Sequence, residues 1–257
     1  MKYLSRESVK IYYDQTNNGD INYLLIHGTG GNHEQLKPEF DYLSKRANVL
    51  SIDLRGHGKS DKPQQEYTIE GFANDAAWLC DQLQFKKPII IGASMGGNIA
   101  IEIAAQFPHL PSGIALLDSS LIYPKDFLEV LSGYLDGLHK ANYRETIKNI
   151  ANNSCLSTDK SRNMIENMLL QTPQHVWYSC FKNMLEWDRT KVKTSLQHCK
   201  VPTLYIEAHY RLVDLDLFKK LCPQLITAKV VGSGHLISLE VPEQVNSMIK
   251  RFVEIYT

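Results

Sequence analysis

The chain has 257 residues, above the commonest domain size but ordinary for a single α/β domain, so one core with an insertion is expected. Its 28 basic and 28 acidic residues cancel and are interspersed, which removes the electrostatic grounds for a nucleic-acid or anionic-membrane partner and favours a small-molecule ligand. Five scattered cysteines (Cys80, Cys155, Cys180, Cys199, Cys222) lack Cys-x-x-Cys spacing, so neither a disulfide framework nor a zinc knuckle is expected, and a reducing cytoplasm is the simpler home.

The N-terminal residues lack a hydrophobic signal core, and no uncharged run approaches the ~20 residues of a membrane helix. Val9–Tyr13 alternates and is rich in β-formers, Asn17–Asp20 supplies a turn, and Tyr23–His27 is an apolar run of the kind covered on both faces of a sheet. Gly28-Thr29-Gly30-Gly31 follows, and its glycines let backbone N–H groups approach a ligand. A helix over Glu34–Lys45, a strand over Asn48–Asp53 and a glycine-rich loop through Ser60 come next. Thr68 is placed to cap a helix whose Ile69, Phe72, Ala76, Leu79 and Leu83 share one face.

Ile89-Ile90-Ile91-Gly92-Ala93-Ser94-Met95-Gly96-Gly97 then reads as strand, sharp turn and helix. Gly-x-Ser-x-Gly in that context describes a nucleophile elbow, where small flanking residues tolerate a strained backbone and the hydroxyl projects outward. The helix begins at the serine, so the Met95 N–H and the positive end of the dipole point at negative charge forming there. Elsewhere the same motif is only a glycine-rich turn; its position here is the argument. Ile114–Asp118 is another buried strand, and the alternation of strands and helices predicts a mostly parallel sheet with helices on both faces.

From about residue 121 to residue 198 strand signal gives way to helical segments over Asp126–His139, Tyr143–Ala151, Thr158–Leu170 and Pro173–Glu186, an expected all-helical cap. Residues 1–120 and 199–257 would form the core. Strands over Pro202–Glu207 and Ala228–Val231 flank a short helix over Asp214–Cys222. A last helix from Pro242 is expected to bury Val245, Met248, Ile249, Phe252 and Ile255.

Four separated features, His27-Gly28-Thr29-Gly30, Asp53-Leu54-Arg55-Gly56-His57-Gly58, Gly92-Ala93-Ser94-Met95-Gly96 and Gly232-Ser233-Gly234-His235, resemble in their order and spacing those of the α/β-hydrolase fold family. The resemblance covers almost the whole chain. It implies Ser94 as nucleophile, His235 as general base and then acid, and Thr29 N–H as the partner of Met95 N–H in an oxyanion hole. A serine hydroxyl is a poor nucleophile at neutral pH, so an imidazole must take its proton and a carboxylate must hold that imidazole's tautomer.

The acid is where the chain departs from the common pattern. Arg211, in Ala208-His209-Tyr210-Arg211-Leu212-Val213-Asp214, stands about where many members carry an Asp. Asp118, at the end of the preceding strand, offers a carboxylate at the same sheet edge, as in certain haloalkane dehalogenases; Asp214 and then Glu207 are the alternatives. The remaining histidines show no metal-ligand spacing, so no metal and no cofactor is expected.

A serine attacking saturated carbon would leave an inert ether, so Ser94 points to carbonyl substrates and to ester hydrolysis through an acyl-enzyme. Carbon–carbon bond hydrolysis of a vinylogous diketo acid, found among relatives with a similar Ser-Met-Gly-Gly elbow, is the second enzymatic reading, and a non-catalytic small-molecule receptor is the reading from another class. Phe127, Tyr134, Trp177, Tyr178, Phe181, Trp187, Met164, Met168 and Met184 would line the cap or simply pack its core, and Arg144 or Arg211 could hold a substrate carboxylate.

Overall fold

The computed structural model describes residues 2–156 and 159–257. Eight strands form one sheet in the order β1-β2-β4-β3-β5-β6-β7-β8: β1 Lys2–Arg6, β2 Val9–Asn17, β3 Asn22–Ile26, β4 Asn48–Ile52, β5 Ile89–Ala93, β6 Gly113–Leu117, β7 Thr203–Glu207 and β8 Leu225–Lys229. β1 and β2 pair antiparallel with each other, and β2 pairs antiparallel with β4; every other neighbouring pair is parallel.

The inner strands are apolar because both faces are covered. Leu24, Ile26, Leu50, Ile52 and Ile90 point to one face and pack with helices α2 (Ile69–Gln82) and α3 (Met95–Gln106). Their alternating neighbours Tyr23, Leu25, Val49, Ile89 and Ile91 point to the other. There they meet α1 (Lys37–Leu43, entered through a 3-10 turn at His33–Leu36) and the last helix, which runs Pro242–Tyr256. Thr68 caps α2 by accepting the Gly71 N–H.

Between β6 and β7 lie α4 (Lys125–His139), α5 (Tyr143–Asn153), α6 (Asp159–Leu169), α7 (Gln174–Thr190) and α8 (Val192–His198). Thr158, the expected start of α6, lies outside the described residues. These helices contribute Leu138, Ile147, Trp177 and Leu196 to the α2/α3 side of the core. α9 (Leu215–Leu221), the short α10 (Ile237–Glu240) and α11 (Pro242–Tyr256) complete the chain.

Three details depart from expectation. β1 is a strand that the pattern does not announce, because it pairs on one side only and leaves Lys2, Tyr3 and Ser5 exposed. β8 begins at Leu225 and ends at Lys229, with Val231 78% exposed beyond it. On α11, Val245, Ile249 and Phe252 are buried, but Met248 is only partly buried and Ile255 is 50% exposed.

Candidate active site

The sheet's order brings the ends of β5 and β6 side by side, and the elbow rises at that edge. Ser94 has φ 52° and ψ −122°, a left-handed-side backbone rare for a residue with a β-carbon. Two contacts hold it there: its N–H donates to Leu117 O (3.1 Å), and its carbonyl accepts from Gly97 N–H (2.9 Å). The turn has no space for a side chain at Gly96, where a β-carbon would lie 2.1 Å from Ile26 O.

His235 arrives on the turn after β8, with its side chain 22% exposed. Its Nε2 lies 2.9 Å from Ser94 Oγ and its Nδ1 2.7 Å from Asp118 Oδ2. With Nδ1 protonated, the imidazole donates to Asp118 and accepts from the serine hydroxyl. Asp118 is buried at the end of β6 with φ 46°, a conformation Asp tolerates better than most residues. Its N–H donates to Ile206 O (2.9 Å), and its second oxygen accepts the Ala208 N–H (2.8 Å). The carboxylate is therefore fixed by β7 before it meets the imidazole.

The other carboxylates are engaged elsewhere. Asp214 caps α9 through Leu217 N–H (3.0 Å). Glu207 accepts from Lys229 Nζ (2.8 Å) and Arg211 Nε (3.1 Å). Burial alone would raise its pKa, but these two cations hold it below the usual carboxylate range. Arg211 is thus a partner of Glu207, while Arg144 lies 5.8 Å from the Tyr143 ring.

The loop after β3 abuts the serine: a β-carbon at Gly28 would stand 2.9 Å from Ser94 Cβ. Thr29 Oγ1 lies 3.2 Å from Met95 Sδ, which ties this loop to the start of α3. Met95 is the first residue of α3, where an N–H has no intrahelical acceptor, and neither it nor Thr29 N–H is donated to a protein group among the described residues. Met95 N–H thus follows the serine directly, and Thr29 N–H belongs to the loop that abuts it. Gln35, which the sequence pattern does not flag, fixes the loop by accepting the Gly28 N–H (2.8 Å).

His27 is a buried brace: Nδ1–H donates to Gly28 O (2.8 Å) and Nε2 accepts Leu54 N–H (3.1 Å). Burial lowers its pKa, more than the nearby Asp53 charge restores. Burial likewise pushes His57 down to about 3. No three metal-ligating side chains converge among the described residues.

Of the aromatic and methionine side chains expected over the site, Trp177, Phe181, Met168, Met184 and Trp187 are buried. Trp177 donates to Leu169 O (3.2 Å) and Trp187 to Glu102 Oε2 (2.8 Å), so both indoles are anchored by hydrogen bonds as well as by packing. Met164 is 53% exposed. Thr172 joins the helical segment to the donor loop, its hydroxyl donating to Gly30 O (3.1 Å).

A serine presented on a strand–turn–helix elbow at the carboxyl edge of a mostly parallel sheet, within hydrogen-bond reach of a histidine, defines the class of α/β-hydrolase-fold proteins. The model of the alpha/beta hydrolase fold matches residues 24–242, and the chain belongs to that family. An AB hydrolase superfamily protein of Bacillus subtilis, YisY, is 25% identical over 263 residues, covering 96% of this chain and 97% of its own. An uncharacterized protein of Mycobacterium tuberculosis is 38% identical over 96 residues, which is 37% of this chain but only 28% of that relative's length. Among solved structures, a thermophilic esterase from Thermogutta terrifontis superposes with a TM-score of 0.86 at 21% identity, covering 100% of both chains.

Proposed function

We propose that the protein is a serine hydrolase acting on small carboxylic esters through an acyl-enzyme, with residues 121–198 as a cap over a core of residues 1–120 and 199–257. The observation that carries this reading is the unbroken hydrogen-bond chain Ser94–His235–Asp118 at the elbow. As the Ser94 oxygen bonds the ester carbonyl carbon, its proton passes to His235 Nε2, and the imidazolium is stabilised by Asp118. The carbonyl oxygen becomes an oxyanion held by Met95 N–H and Thr29 N–H. Collapse expels the alkoxide, which takes the proton from His235 and leaves as alcohol. Water then repeats the sequence on the acyl-Ser94 ester, His235 accepting its proton and returning it to the serine, and the carboxylic acid is released.

No helix among the described residues is long and apolar enough to cross a membrane. The five cysteines are all buried and free of disulfides, which fits the reducing cytoplasm included in this proposal. The esterase among the structural neighbours shares the fold and adds weight to the ester reading.

The test is labelling with a serine-directed phosphonate alongside a series of short and long acyl p-nitrophenyl esters. Label on Ser94 with turnover, both lost in Ser94→Ala, is the expected result. A wild-type protein that is neither labelled nor active on any acyl length is a binding module, and the proposal falls.

A further inference from the structure

We propose that Glu240 is a positioning residue for His235, and that it locks the turn carrying the imidazole to the end of α5 in the helical segment. This rests on the reading of His235 as the general base. α10 begins two residues after the histidine and brings Glu240 back beneath the turn. One carboxylate oxygen, Oε2, accepts the Gly234 N–H (2.7 Å) and the Ser233 hydroxyl (3.1 Å). The other, Oε1, accepts the Leu156 N–H (2.9 Å) from beyond α5.

The turn and that stretch also touch directly. Leu236 N–H donates to Ser154 O (3.3 Å), and a β-carbon at Gly234 would lie 2.7 Å from the same oxygen. The residues on either side of His235 are therefore both gripped, one by Glu240 and one by Ser154. None of these bonds uses the imidazole, which keeps Nδ1 for Asp118 and Nε2 for Ser94.

An ionised acceptor makes shorter and stronger hydrogen bonds than a neutral one, so a carboxylate suits this clamp. The chemistry it serves has little tolerance, since a displacement of about 1 Å at a reacting group costs on the order of a hundredfold in rate. A ligand that shifts residues 154–156 would move the turn bearing His235 along with them.

The experiment compares wild type, Glu240→Ala and Glu240→Gln by steady-state kinetics on p-nitrophenyl acetate and by the low-field proton resonance of His235 Nδ1–H, identified by its loss in Asp118→Asn. Glu240→Gln keeps the side chain's size and one acceptor, so it serves should the alanine variant fail to fold. The expected result is a kcat lower by about 10- to 100-fold in Glu240→Ala, a smaller loss in Glu240→Gln, KM within about twofold, and a shifted or broadened resonance. Folded variants with unchanged kcat and an unchanged resonance overturn the proposal, even where their melting temperature has dropped. An unlabelled Ser94 in the wild type would instead sink the hydrolase reading, and the resonance would still decide whether Glu240 positions the imidazole.

Discussion

The carboxylate of Asp118 stands 2.7 Å from His235 Nδ1 across 117 positions of sequence, and its other oxygen is already held by Ala208 N–H. That double attachment distinguishes it from Asp214, whose carboxylate is used to start α9. Asp118→Asn is expected to lower kcat on p-nitrophenyl acetate by about three to four orders of magnitude, because an amide no longer enforces the Nδ1–H tautomer. Asp214→Asn should change neither kcat nor stability, since Asn caps a helix as well as Asp does. The opposite pattern would move the acid to the loop after β7.

The elbow is legible in sequence because its demands are local: β-branched residues for β5, glycines where the backbone passes within van der Waals contact, and a helix starting at the serine. Asp118 is legible for a related reason, as strand ends at one sheet edge converge wherever the sheet is parallel. Glu240 is not legible, because its partners Gly234 and Leu156 meet only after α10 folds back and α5 docks. β1 is hidden by its edge position, where only Leu4 packs inward. The indole of Trp187 shows the same limit: spacing marks it as apolar, whereas the hydrogen bond of its N–H depends on Glu102, distant in the chain on α3.

Glu39 gives the fold a pH dependence separate from catalysis. It is fully buried on α1, with neither carboxyl oxygen bonded among the described residues. Burial pushes its pKa up to about 8, against a partial opposing effect of its own backbone N–H and of Ser238. The folded state therefore binds a proton that the unfolded chain releases above about pH 4.5, and folding stability is lost as pH rises from about 4.5 to about 8. Glu39→Gln removes this loss. Urea denaturation across that window should show the stability difference moving in the variant's favour by about 1 kcal/mol per pH unit. A constant difference would mean that the carboxyl is solvated or paired in solution.

Asp75 on α2 accepts from both Arg55 (Nη2, 2.6 Å, and Nε) and Arg6 (3.1 Å), joining the loop after β4 and the first strand to one helix. The hydrogen bonds that Arg55 donates to Asp75 raise its pKa despite its partial burial. Asp75→Ala would strand a guanidinium whose side chain is only 11% exposed, so a loss of about 3–5 kcal/mol is expected in chemical denaturation. Arg6→Ala, at a more exposed partner, should cost about 1 kcal/mol or less. Equal losses would show that Asp75 depends on both arginines together.

Glu102 links the elbow helix to the helical segment. It sits on α3, eight residues after Ser94, and its buried carboxylate accepts from Trp187 Nε1 (2.8 Å), Ser195 Oγ (2.7 Å) and Gln106 Nε2 (2.6 Å). Trp187→Phe keeps an aromatic ring but removes one donor from a buried charge, at an expected cost of about 1–3 kcal/mol. Because the three donors share one carboxylate, Trp187→Phe and Ser195→Ala should couple: the double variant is expected to lose more stability than the sum of the singles, as the ion keeps only Gln106. Catalysis should be indifferent, with kcat within about twofold of wild type, since no bond in this group touches Ser94, His235 or Asp118. A kcat that falls in step with stability would mean that the docking of α7 and α8 on α3 sets the elbow itself, and that the serine's strained backbone is held from the helical side as well as by the turn.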